Sequence, residues 1–250
     1  MIHSFLLIGQ SNMAGRGFFD EAEDIDTSHI YTLRMGRWQK MFRPINPDRS
    51  FSGVNLAESF AESYVKKHGV DVGLICCADG GTSLEQWKKG GELFEHAVYQ
   101  AKLAQKTSEI QGILWHQGEG DCAKGLHATY KERFIEFMAD LRNELNLHDV
   151  PILMGGLGDF LQDCTLNENL KNYTYLNKSL EEIACEEAMT GFVSAHGLGA
   201  NPDNLHFNAK ALYEFGLRYF EEFEKINVNH NKSIVKNPDS NLERTEMELL

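Results

Sequence analysis

Ser11 stands directly after the apolar run Phe5-Leu6-Leu7-Ile8-Gly9 and one glutamine, where a buried strand would end and a helix would begin. In an α/β sheet that position lifts a side chain above the carboxyl edge, and the unpaired N–H groups of the following turn face any anion formed there. A serine so placed can attack a carbonyl; the same residue can equally do no more than cap a helix. Near the other end of the chain, Asn201-Pro202-Asp203-Asn204-Leu205-His206-Phe207 sets a carboxylate and an imidazole three residues apart on one turn-rich loop. That spacing puts both side chains on one face, so Asp203 can accept from the imidazole Nδ1–H and leave Nε2 of His206 free as a base. The alternative is a capping Asp203 beside a surface histidine. Brought to one sheet edge, Ser11, His206 and Asp203 supply nucleophile, base and orienting carboxylate.

Acyl transfer also needs donors for an oxyanion. The run Val72–Cys77 leads into Ala78-Asp79-Gly80-Gly81-Thr82-Ser83-Leu84, whose glycines let backbone N–H groups approach a substrate. The run Gly112–Trp115 leads into His116-Gln117-Gly118-Glu119-Gly120-Asp121, where Gln117 offers a side-chain amide. An ordinary glycine turn and a polar loop are the plain alternatives for these two segments. His116, Glu119, Asp121, Asp203 and His206 can also be read as metal ligands. No His-Glu-x-x-His or Cys-x-x-Cys spacing supports that reading, the adjacent Cys76 and Cys77 do not suit a tetrahedral site, and no metal is expected. Trp87, a short turn beyond the glycines, is the best placed of the tryptophans to stack on a pyranose ring, while Trp38 and Trp115 read more readily as packing residues.

These residues need a frame. Apolar runs at Phe5–Ile8, Val72–Cys77, Gly112–Trp115, Ile152–Met154 and Phe192–Ala195 predict a five-stranded parallel sheet. Helical periodicity falls between and after them, over Asn55–Lys67, Glu92–Ala104, Tyr130–Leu145, Asn172–Met189 and Ala209–Lys225. The alternation predicts a three-layer α/β/α sandwich with right-handed crossovers. Ile30–Ile45 reads as a small hairpin turning at Gly36, a lip beside the site. The chain divides into one domain over residues 1–227 and a polar, mobile tail over residues 228–250, where apolar periodicity stops.

Composition narrows the partners. A chain of 250 residues can bury about three-quarters of its unfolded surface in a single domain. With 24 Lys and Arg against 37 Asp and Glu, the net charge of −13 argues against nucleic acid and anionic membranes. No run approaches the roughly 18–20 apolar residues of a membrane span, and no cleavable apolar segment follows a basic start. The cysteines, Cys76, Cys77, Cys122, Cys164 and Cys185, are five, an odd number, and read as reduced residues of a cytoplasmic protein. Oligomeric state is not legible here.

Taken together, Gly9-Gln10-Ser11-Asn12-Met13, Gly80-Gly81-Thr82-Ser83-Leu84, His116-Gln117-Gly118-Glu119-Gly120-Asp121 and Asp203-Asn204-Leu205-His206-Phe207 resemble the ordered blocks of the SGNH-hydrolase superfamily. The likeness is greatest to its sialate O-acetylesterase and acetylxylan esterase branch, carbohydrate esterase family 6. The resemblance implies a flavodoxin-like fold and a serine esterase that removes acetyl groups from a small acetylated carbohydrate, without metal or organic cofactor. It implies Ser11 as nucleophile, His206 as base and Asp203 as its partner. The oxyanion hole it implies comprises the Ser11 N–H, the Gly81 N–H and the Gln117 side chain. Gln10, Asn12, Gly80 and Glu119 fall in the same blocks as substrate-binding or supporting residues, with Glu119 holding the loop after the third strand. A short-chain lipid esterase or thioesterase, or a sugar-binding protein without turnover, remains open beside this reading.

Overall fold

The computed structural model describes residues 1–236 apart from Lys124, and side chains as far as residue 227. At its centre lies β1 (Ile2–Gly9), flanked by β4 (Val72–Cys76) and β5 (Ser108–His116) in parallel. The continuous apolar run of β1 follows from burial on both faces: Phe5 and Leu7 enter one core, Leu6 and Ile8 the other. Beyond β5 come β6 (Ile152–Gly155) and β7 (Thr190–Val193), also parallel. On the opposite side β2 (Ile30–Arg34) pairs parallel to β4 and antiparallel to β3 (Arg37–Lys40), giving the order β3-β2-β4-β1-β5-β6-β7.

The sheet therefore has seven strands, not the five expected. The hairpin is real, with positive φ at Met35 and Gly36 as a two-residue turn requires, but it is an extension of the sheet rather than a lip. Without it, the outer edge of β4 would expose a row of unpaired backbone groups, and Ile30 and Thr32 are buried in covering it.

Helices close both faces. A short α1 (Ser11–Ala14) follows β1. On one face α2 (Ala57–His68) packs against α6 (Ala209–Lys236) through Phe60, Tyr64, Phe215 and Phe223. The crossing of α2 and α6 is close enough that a Cβ on Gly216 would lie 2.0 Å from the Leu56 carbonyl. On the other face lie α3 (Glu92–Ala104), α4 (Tyr130–Leu145) and α5 (Tyr173–Glu186), packed on Trp115, Phe134, Phe137 and Leu180. The segment expected as a tail is helical to Lys236, and the rest of it lies outside the described residues. Among the described residues no helix is long and apolar enough to cross a membrane.

Candidate active site

The loops after β4, β1 and β5 meet at the carboxyl edge of the sheet. Gly9 ends β1 at φ +132, and a Cβ there would stand 2.1 Å from the His116 carbonyl, so only glycine lets the chain turn this tightly against β5. The turn is tied on both sides, by Gln10 N–H to His116 O at 2.9 Å and Asp79 N–H to Gly9 O at 3.0 Å. Gln10, not Ser11, occupies the N-cap of α1, which removes the capping reading of the serine. Ser11 Oγ instead lies 3.0 Å from His206 Nε2, and His206 Nδ1 lies 2.7 Å from Asp203 Oδ2. A carboxylate offers only acceptors, so Nδ1 carries the proton and Nε2 accepts from the serine hydroxyl.

Asp203 does not cap the final helix; Asn208 does so, accepting from the Ala211 N–H at 2.8 Å. The second carboxylate oxygen of Asp203 accepts from the N–H groups of Leu205 at 2.9 Å and His206 at 3.0 Å. Partial burial works against its charge, but the hydrogen bonds from the His206 ring and from these two N–H groups prevail and hold the carboxyl below its usual range.

Asn12 joins the two halves of the site. Its Nδ2 donates to Glu119 Oε1 at 2.6 Å and to Leu205 O at 3.2 Å, and its Oδ1 accepts from the Phe207 N–H at 3.1 Å. The residues on either side of His206 are thereby fixed to the residue after Ser11. Glu119 is thus linked to the loop of the histidine only through Asn12, and its other oxygen is buried without a partner among the described residues.

Gly80 and Gly81 have separate duties. A Cβ on Gly80 would lie 2.5 Å from Arg16 Nη2 and 3.4 Å from Ser11 Cβ, and its N–H donates to Asp48 Oδ2 at 2.9 Å. Gly81, at φ +78, leaves its N–H with no protein acceptor among the described residues. Two N–H groups of cleft-lining residues are thus without a protein acceptor among the described residues: that of Gly81, and that of Ser11, which precedes any intrahelical acceptor.

Two expected site residues lie elsewhere. Gln117 is fully buried, and its Nε2 donates to Asp121 Oδ2 at 2.7 Å and to Thr82 O at 3.2 Å, so its amide is consumed in joining the loops and it does not line the cleft. The pleat explains this: Gln117 follows Trp115 by two and shares its face, toward Tyr130. Trp87 is also fully buried, edge-on to Trp115 at 5.6 Å and to Phe137 at 6.5 Å, and is a core residue rather than a sugar platform. His116 and Asp121 are fully buried as well. His116 lies edge-on to Phe207 and Phe215, and burial pushes its pKa down. Asp121 accepts from Gln117, from the Leu84 N–H and from Arg133 at 2.7 Å. Among the described residues no three His, Cys, Asp or Glu side chains converge as a metal would need.

The cleft over Ser11 holds about 400 Å³, enough for a small ligand. Part of its wall was not legible: Arg16, Arg49 and Phe51. Arg16 makes a bidentate pair with Asp48 at 2.9 and 2.7 Å, and Arg49 donates to Asp79 Oδ1 at 2.7 Å. These arginines therefore hold the glycine loop. Phe51 is 68% exposed and is the aromatic ring at the mouth. Residues 43–52, which supply Asp48, Arg49 and Phe51, lack any helical or strand periodicity.

Comparisons with known proteins place the chain in a family. A family model described as carbohydrate esterase, sialic acid-specific acetylesterase, matches residues 1–225. A probable carbohydrate esterase of Arabidopsis thaliana is 31% identical over 242 residues, spanning 85% of this chain and 86% of that protein. The crystal structure of that Arabidopsis protein superposes with a TM-score of 0.77 at 24% identity, over 89% of this chain and 98% of the other. NanS superposes at 0.73 with 15% identity, over 91% and 98% of the two chains. A carbohydrate acetylesterase of Xanthomonas citri superposes at 0.63 with 19% identity, over 87% of this chain and 55% of the other. At these identities the structures speak for a shared fold, and the family match speaks for kinship. The chain therefore belongs to the SGNH-type family of sialic acid-specific acetylesterases, and it is a carboxylic ester hydrolase.

Proposed function

We propose that the chain removes O-acetyl groups from a small acetylated sugar through an acetyl-enzyme on Ser11. The unbroken line from Asp203 through His206 to Ser11, at 2.7 and 3.0 Å, is the observation that supports this most directly. His206 Nε2 takes the hydroxyl proton as Ser11 Oγ attacks the acetyl carbonyl, and the N–H groups of Ser11 and Gly81 receive the oxyanion. The imidazolium then protonates the sugar oxygen as the C–O bond breaks. Water, deprotonated by the same nitrogen, attacks the acetyl-enzyme and releases acetate. Asp203 stays ionised and fixes the imidazole tautomer.

Phe51 supports a sugar substrate, since an exposed ring at the edge of the cleft can take the apolar face of a pyranose. Sialic acid and xylose-type acetates are the candidates, and the unbridged state of all five cysteines accords with a reducing, cytoplasmic setting. A second reading, a short-chain lipid esterase, draws on Leu166, Leu170 and Leu205 in the same cleft.

Hydrolysis of p-nitrophenyl acetate, butyrate and octanoate by the wild type and Ser11→Ala tests the reading, followed by acetate release from acetylated sugars. Activity restricted to acetate and lost in the variant is expected. A preference for octanoate favours the lipid esterase, and activity surviving in Ser11→Ala refutes the serine mechanism.

A further inference from the structure

With Gln117 turned into the wall, two backbone donors remain for the oxyanion, and the loop after β5 supplies none from its own side chains. Gln10 reaches that side. Its Oε1 accepts from the N–H groups of Gly118 at 3.4 Å and Gly120 at 3.3 Å. Both partners are donors, which fixes the orientation of the amide: the oxygen faces the loop and the NH₂ faces away from it. Nε2 has no protein acceptor among the described residues and is not sealed from solvent, although the residue as a whole is only 4% exposed. Gln10 lines the same cleft as Ser11 and Gly81.

We propose that the Gln10 Nε2–H is the third donor to the oxyanion, in the place Gln117 was expected to fill. The proposal rests on the serine-esterase reading above. Strand order supports it. β1 lies between β4 and β5, so Gly81 approaches from the β4 side, Ser11 stands in the middle, and the Gln10 amide is held over the β5 side. The donor is also fixed before reaction. Two hydrogen bonds hold its oxygen, and the loop that provides them is confined, since a Cβ on Gly120 would lie 2.5 Å from the Thr82 carbonyl. As Ser11 Oγ bonds to the carbonyl carbon and the C=O electron pair moves onto oxygen, Nε2–H bonds to the charge that develops; no proton is transferred to or from Gln10.

The test is Gln10→Glu, which keeps an acceptor for both glycine N–H groups and removes the donor. Turnover of p-nitrophenyl acetate is compared with that of p-nitrophenyl thionoacetate, whose sulfur accepts hydrogen bonds weakly. The expected result is a fall in kcat for acetate of about 10²–10³-fold with KM little changed, and an acetate-to-thionoacetate rate ratio that falls with it. Gln10→Met, of the same length and with neither donor nor acceptor, repeats the measurement should the acid disturb folding. The proposal is overturned if kcat stays within about threefold of wild type, or if kcat falls while the ratio is unchanged, which marks a displaced loop. Ser11→Ala in the same assay separates the causes. Inactive Ser11→Ala with wild-type-like Gln10 variants removes only the role of Gln10, whereas active Ser11→Ala removes the serine reading and this proposal with it.

Discussion

Replacing Asn12 by alanine tests whether Ser11 and His206, the proposed nucleophile and base, are held together by a single side chain. Asn12 is 1% exposed, so water cannot readily take over its three hydrogen bonds. The bond to the Glu119 carboxylate is charge-assisted, worth about 1.5–3 kcal/mol, and those to Leu205 O and the Phe207 N–H are worth about 0.5–1.5 kcal/mol each. Glu119 already has one buried oxygen without a partner, and the substitution leaves its other oxygen without one too. A loss of about 3–5 kcal/mol follows, which for a domain of this size lowers Tm by about 6–20 °C. Below that Tm the folded variant should still hydrolyse p-nitrophenyl acetate about 10²-fold more slowly, because His206 loses the anchors on both sides of it and drifts by about 1 Å. Calorimetry and initial rates at 15 °C read the two effects separately. An Asn12→Ala protein with unchanged Tm and kcat would refute the claim that this side chain sets the geometry.

Other outcomes follow from the same contacts. Asp203→Asn should lower kcat by about 10²–10⁴-fold with little change in KM, since the ring loses the acceptor that fixes its tautomer; an unchanged kcat would leave Asp203 as a turn residue only. His116 should make the fold acid-sensitive. Burial depresses its folded-state pKa, so below about pH 6.5 the unfolded chain binds a proton that the folded chain refuses, and stability falls until the depressed value is passed. Denaturant titrations at pH 7 and 5 should show a smaller drop for His116→Gln than for wild type. Trp87→Ala should lower stability by about 3–5 kcal/mol by emptying the space against Trp115 and Phe137. The KM for an acetylated sugar should stay within about threefold of wild type, and a selective rise in KM would return Trp87 to the substrate.

What could be read from the chain beforehand depended on how local the physics was. Strand β1 was legible because burial on both faces demands an unbroken apolar run, and Asp203 with His206 because one loop holds both. The hairpin of β2 and β3 was legible as a hairpin, yet its place was decided by an open edge on β4, far away in sequence. Gln117 and Gln10 were harder still. Both are amides at the carboxyl ends of neighbouring strands, and only the folded loops decide that Gln117 turns into the wall while Gln10 lines the cleft; residue type carries no trace of that. Trp87 was misplaced for a related reason: proximity to the glycine turn says where its backbone lies, and the one-turn helix Leu84–Trp87 then directs the ring into the core. The wall formed by residues 43–52 had no pattern to read, since its order comes from Asp48 binding Arg16, Ser52 and Gly80.

The clasp of Asn12 on Leu205 and Phe207 spans almost the whole length of the polypeptide. Ser11 and His206 stand 195 residues apart in sequence, so on the serine-esterase reading proposed above no ester is cleaved by a half-folded chain in which the two have yet to meet. On that reading activity begins only when the loop of His206 docks. Return of activity during refolding therefore times that docking event, a clock separate from the spectroscopic appearance of the sheet and helices.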